Sequence, residues 1–155
     1  PPSASTWKTT GFRSNNSRSR AFILSLACTG PWNITNGLFI DVSDALSNWN
    51  KKEFHHIYPR DFLKRAGAPG EHNAIANICM LASSENRAIS NRDPKSYLPE
   101  CIADLGADAD AVFTSNAMPA PSKFDYANAG YSDFLDARAD LINRLFTKLC
   151  NGDLP

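Results

Sequence analysis

The stretch Glu53–Arg60, EFHHIYPR, decides the reading of this chain. Two adjacent histidines follow a short apolar approach and precede a proline. The segment reads as a short strand that Pro59 ends, because proline has no N–H to give to a β-ladder. Neighbouring strand residues face opposite sides, so a strand that ends in a bend lets His55 and His56 take different tasks. Imidazole ligates metals when neutral and exchanges a proton near pH 7. Packing, metal binding and proton transfer all stand open for the pair.

Downstream, RDFLKRAG reads as a helix of one to two turns with Gly67 at its end, and APGEHN as a loop. AIANICMLA is an apolar run with room for a strand. Asn77 interrupts it, and a buried amide there must find hydrogen bonds. SSENRAISN starts like a helix, with Ser83 or Ser84 as cap and Glu85 in the first turn. Asn86 falls about one turn in, and its side-chain oxygen suits a hard cation. Arg87 and Arg92 suit bidentate phosphate contacts. Taken singly, each feature has an ordinary reading: structural histidines, an asparagine in a turn, arginines on a solvated face. The joint pattern is more specific: His-His-Ile-x-Pro, then Asn77, then Asn86 with Arg87 directly after it.

Glu53 to Pro99 resembles an HNH endonuclease domain, also called the ββα-metal or His-Me finger. More narrowly, EFHHIYPRDFLK, NAIANICMLASSENRAISNRDPKSYL and the later YSDFLDARADLI are similar to the C-terminal nuclease domain of phage-restriction proteins. Those proteins carry an upstream ParB-like nucleotidase domain. The resemblance covers roughly Ser43 to Leu149. It implies an α+β fold, a small ββα-metal finger (a short antiparallel hairpin plus helix) within a mostly helical domain. The finger would span about 51–99, flanked by helices within 18–50 and 132–150 of a single nuclease domain, 18–151.

Carried over, the resemblance implies that His56 is the general base activating water for attack on a phosphodiester. It makes His55 the first metal ligand, where many relatives have aspartate, and Asn86 the second, where the family name expects histidine. Asn77 would hold His56 in orientation through a main-chain contact. A His/Asn pair is neutral, so cation and DNA phosphate should bind together, and Mg2+ or Mn2+ is the expected cofactor. Arg87 and Arg92 would hold phosphates, and Lys51, Lys52, Arg60, Lys64 and Arg65 would extend the track along the backbone. Tyr58 is expected to pack under the motif, and His72 to be a loop residue rather than a third ligand. The expected partners are double-stranded DNA, an upstream regulatory domain of the same polypeptide and a possible second copy of the chain, since double-strand breaks need a dimer or successive nicks. One motif nicks one strand, as in antiviral restriction. The alternatives are a non-catalytic nucleic-acid-binding or scaffold module, and the same chemistry on RNA.

The rest of the chain supplies context. A length of 155 residues suits one domain with a modest core. From the start at Pro1 without a methionine, a processed or excised piece of a longer polypeptide is the expectation. Net charge is zero, yet residues 1–20 hold four basic and no acidic residues, while 101–155 hold eight acidic against four basic. A neutral total therefore leaves local steering of a polyanion open, and argues against a protein coated in positive charge. The apolar run Ala21–Cys28 is too short to cross a bilayer, and a cytoplasmic location is expected. Cys28, Cys79 and Cys150 sit in apolar runs and read as buried hydrophobes, and no CxxC spacing suggests a zinc site.

Residues 1–17, rich in Ser, Asn, Pro and Thr, read as a flexible segment or linker. A helix is expected over 18–28, a brief strand at GLFID, and helical spacing in VSDALSNWN. Gly106–Lys123 reads as loop. Residues 132–150 form the clearest helix, with Ser132 as cap and an apolar stripe through Phe134, Leu141, Ile142, Leu145, Phe146 and Leu149.

Overall fold

In the computed structural model, which describes residues 2–13, 15–43, 54–81 and 89–153, order begins at the N-terminal segment. Helix α1 spans Ala4–Thr9, and Thr6 Oγ1 accepts from the Ser3 N–H at 3.2 Å to start it. Within the segment 1–17, expected as a flexible segment or linker, the structure thus describes a short helix. The Ser- and Asn-rich composition hides two aromatic anchors. Trp7 is fully buried, stacks 5.4 Å from Phe146, and donates its indole N–H to Asn143 Oδ1. Phe12 meets Phe54 at 5.7 Å. Truncating an indole buried this way costs roughly 3–5 kcal/mol, ample to hold a short helix down.

Helix α2, Ser17–Cys28, is capped by Asn16 Oδ1, which accepts from the Arg18 and Ser19 N–H groups. Its inward face carries Phe22, Ile23 and Leu26. The brief strand expected at GLFID is reduced to an isolated bridge between Trp32 and Phe39. Most of VSDALSNWN lies outside the described residues.

Strand β1, Phe54–His56, pairs antiparallel with β2, Ile78–Met80, in the register Phe54–Met80, His55–Cys79, His56–Ile78. Between them lie α3, Arg60–Arg65, and a 3-10 turn, Ile75–Asn77. Gly67 ends α3 in the left-handed region (φ +61°), the role expected of it. The result is a small two-stranded antiparallel sheet embedded in a mostly helical chain.

Helix α4, Pro94–Leu105, starts with proline in its first turn and Asp93 accepting from the Lys95 N–H at 2.9 Å. Helix α5, Ala109–Ser115, corrects the reading of Gly106–Lys123 as loop. Short side chains dominate there, but Val112 and Phe113 are fully buried and fix a helical turn against the core. Helix α6, Tyr131–Cys150, is the long helix expected, with Gly130 at the cap position in place of Ser132; Asp133 accepts from the Gly130 N–H at 2.9 Å. Its most buried face runs through Tyr131, Phe134, Leu135, Arg138, Ala139 and Ile142, the i, i+3, i+4, i+7 positions. Among the cysteines only Cys79 is buried. Cys28 and Cys150 are exposed at the last residues of α2 and α6, which corrects their reading as core hydrophobes. No described helix is long and apolar enough to cross a membrane.

Candidate active site

The two-stranded ladder stops at His56, and an asparagine side chain continues it. Ile57 donates its N–H to the Asn77 carbonyl at 2.9 Å. The Asn77 side chain then takes over. Its Oδ1 accepts from the Tyr58 N–H at 2.8 Å, and its Nδ2 donates to the Tyr58 carbonyl at 2.9 Å and to the His72 carbonyl at 3.0 Å. Asn77 is fully buried, so this amide acts as one more rung and fixes the bend that follows His56. Tyr97 adds its hydroxyl to the Ile57 carbonyl. Tyr58 packs under the motif, 5.3 Å from Tyr131 and 4.9 Å from Phe134.

The bend follows directly after the histidine pair, and both histidines line one cleft of about 820 Å³, lined also by Arg60, Lys64, Glu71 and His72. A longer straight strand would have sent them to opposite faces. His55 is 8% exposed and pairs with Cys79 across the ladder. His56 is half-buried, with Nε2 2.8 Å from Asn73 Oδ1. Burial holds the His56 pKa below its ordinary 6.5, the Asn73 bond opposes that shift, and the charges of Arg60 and His55 add to it. That shift favours the neutral imidazole, the form able to accept a proton.

No protein-family model, curated protein or solved structure matches this chain.

Among the expected cationic residues, Arg60 and Lys64 line the cleft, while Arg65 and Arg92 do not. Arg92 is exposed and pairs with Glu100. Asp61 and Glu71 also line the wall, so its charge is mixed. Lys51, Lys52, Asn86 and Arg87 lie outside the described residues. His55 is thus the described half of the expected ligand pair. Its imidazole is a competent donor for manganese and other transition metals, and less suited to magnesium. Among the described residues, no group of three or more His, Cys, Asp or Glu could hold a metal ion. His72 sits on the cleft wall with Nε2 2.7 Å from the Ala68 carbonyl, which fits a loop residue.

Two residues absent from the sequence reading matter here. Asn73 bonds His56 from the loop before the 3-10 turn, and nothing periodic marks it. Arg138 is fully buried on α6 and donates to the Ala76 carbonyl at 2.9 Å and the Asn116 carbonyl at 3.1 Å. It ties the turn that carries Asn77 to the long helix. Its signal was available: a charged residue inside the apolar stripe, four positions from Phe134 and four from Ile142.

Proposed function

We propose that this chain is an HNH-type, metal-dependent endonuclease domain that nicks double-stranded DNA in defence against foreign DNA. The observation that carries the reading is one juxtaposition: a half-buried His56, its pKa lowered by burial, beside His55 on one cleft, with the backbone just beyond them clasped by Asn77. General-base chemistry needs an imidazole neutral at working pH and held in one direction. The finger topology belongs to the proposal as well, with β1 and β2 as its strands; the start of the helix read from the sequence at Ser83 lies outside the described residues.

In this reading His56 takes the proton from an in-line water as the water oxygen attacks phosphorus, and the bond to the 3′ oxygen breaks. His55 and Asn86 would hold a divalent cation, Mg2+ or Mn2+, which would supply Lewis-acid stabilisation of the developing negative charge. Asn77 keeps the His56 backbone direction fixed. Arg60 and Lys64 hold flanking phosphates as point contacts that carry no sequence information. Lys51, Lys52, Arg65, Arg87 and Arg92 are proposed to extend that contact. An upstream domain of the same polypeptide is the proposed regulator, and a second copy of the chain or successive nicks the route to double-strand breaks.

The test is incubation with supercoiled plasmid and with a structured RNA, each in EDTA, Mg2+ and Mn2+. Nicked circles that need metal, with RNA left intact, support the reading. Equal nicking in EDTA, or none in either metal, contradicts it. Cleavage of RNA alone moves the same chemistry to the other polymer.

A further inference from the structure

The loop bearing Asn73 joins the N-terminal segment to His56. Asn73 is hydrogen-bonded on both its backbone and its side chain to Phe12: the Phe12 N–H donates to the Asn73 carbonyl at 2.7 Å, and Asn73 Nδ2 donates to the Phe12 carbonyl at 2.8 Å. A bridge between Gly11 and Ala74, and a bond from the Ile75 N–H to the Thr10 carbonyl at 3.0 Å, extend the contact. The segment after α1 is therefore held by backbone hydrogen bonds against the loop before the 3-10 turn.

This contact settles which way the Asn73 amide faces. The Phe12 carbonyl can only accept, so the atom 2.8 Å from it must be the NH2 group. The oxygen then faces His56 Nε2 at 2.8 Å, and an amide oxygen also can only accept. The hydrogen of neutral His56 must therefore sit on Nε2, which leaves Nδ1 with the lone pair.

We propose that Asn73 is the positioning residue of His56: anchored by the Phe12 backbone, it fixes the Nε2–H tautomer and makes Nδ1 the nitrogen that accepts the proton. The inference rests on the reading of His56 as the base. Its consequence is that residues 10–12 belong to the working site, because they orient the amide that orients the imidazole. Asn73 itself touches neither the attacking water nor the phosphate in this account. It acts through His56.

The tautomer can be read without any reaction, by two-bond 1H–15N correlation spectra of the metal-free full chain at a pH where His56 is neutral. His72 is the internal reference. Its Nε2 faces the Ala68 carbonyl, so it too carries the hydrogen on Nε2. The expected result is a single Nε2–H pattern for His56 in the native chain. In Asn73→Ala the His56 pattern should move to an averaged one while His72 stays unchanged. Asn73→Asp keeps an acceptor for the Nε2–H and the backbone bond from the Phe12 N–H while losing the donor to the Phe12 carbonyl, so the Nε2–H pattern should persist. An Nδ1–H pattern in the native chain overturns the proposal, as does a His56 pattern unmoved in Asn73→Ala. If Asn73→Ala loses the His72 reference pattern and so fails to fold, the native and Asn73→Asp spectra decide, both being required to show Nε2–H. Plasmid nicking by Asn73→Ala should fall by roughly 10- to 100-fold, the scale that a loosened imidazole costs. A native chain that shows the tautomer yet never nicks overturns the nuclease reading and leaves the hydrogen-bond assignment standing.

Discussion

The Asn77 side chain spans both backbone polar groups of Tyr58, accepting from its N–H at 2.8 Å and donating to its carbonyl at 2.9 Å. With the further bond to the His72 carbonyl, one amide satisfies backbone groups on both sides of the cleft. Asn77→Ala leaves these groups without partners in a buried setting, and should cost about 2–4 kcal/mol in urea unfolding. Asn77→Asp keeps the bond from Tyr58 N–H and loses both donated bonds, so it should also destabilise. A loss below about 1 kcal/mol for Asn77→Ala would mean that water replaces the clasp.

Arg138 carries a buried guanidinium that joins no ion pair among the described residues. Burial pushes its pKa down to about 10, and the Ala76 and Asn116 carbonyls together with the Phe22 ring, 5.8 Å from its Cζ, are its compensation. Arg138→Ala removes both bonds and opens a cavity, with an expected loss of about 3–5 kcal/mol. Arg138→Met fills most of the volume without the charge and should lose markedly less. Equal losses for the two variants, measured by urea unfolding, would show that the hydrogen bonds outweigh the packing.

Thiol chemistry reports on the register of the small sheet. Cys79 sits opposite His55, fully enclosed, and burial pushes its pKa up to about 11. Cys28 and Cys150 are exposed. Thiol titration of the native chain at pH 8 should modify Cys28 and Cys150 quickly and Cys101 slowly. Cys79 should react only on unfolding. Fast modification of Cys79, located by peptide mapping, would contradict the pairing of β1 with β2.

How far the sequence speaks depends on whether a residue's role is local. Pro59 ends β1, Asp93 and Pro94 start α4, and the apolar stripe of α6 repeats at helical spacing, so these elements are legible along the chain. Helix α5 is not, because Ala, Asp and Ser surround its two anchors and look like loop. Helix α1 is hidden in the same way, since Trp7 is anchored by Phe146 and Asn143 from the far end of the chain. His55, His56 and Asn77 stand out by residue type and spacing. Asn73 does not: its bond to His56 joins residues seventeen apart, and its own anchor, Phe12, lies sixty-one residues away. Arg138 is marked in the sequence as a charge inside the apolar stripe of α6, but the carbonyls it serves, those of Ala76 and Asn116, are distant along the chain and are not.

Arg60 and Lys64 are the described cations on the cleft wall, and their contribution to DNA binding should be electrostatic. Arg60→Ala and Lys64→Ala should each weaken binding similarly across DNA sequences and lower the slope of log affinity against log salt by roughly 0.9. Arg92→Ala, whose guanidinium pairs with Glu100, should change the slope less. A change in base preference with an unchanged slope, read by fluorescence anisotropy across salt, would contradict a backbone-holding role.

The central claim is that His56 is the base that activates water, and the most direct measurement is the single-turnover rate of plasmid nicking by His56→Ala beside the native chain. Circular dichroism and the His72 resonance serve as checks on fold. The account predicts metal-dependent nicking by the native chain and a loss of roughly 10²- to 10⁴-fold in the variant, the usual contribution of a positioned general base. Nicking by His56→Ala at the native rate, with the fold intact, would contradict it.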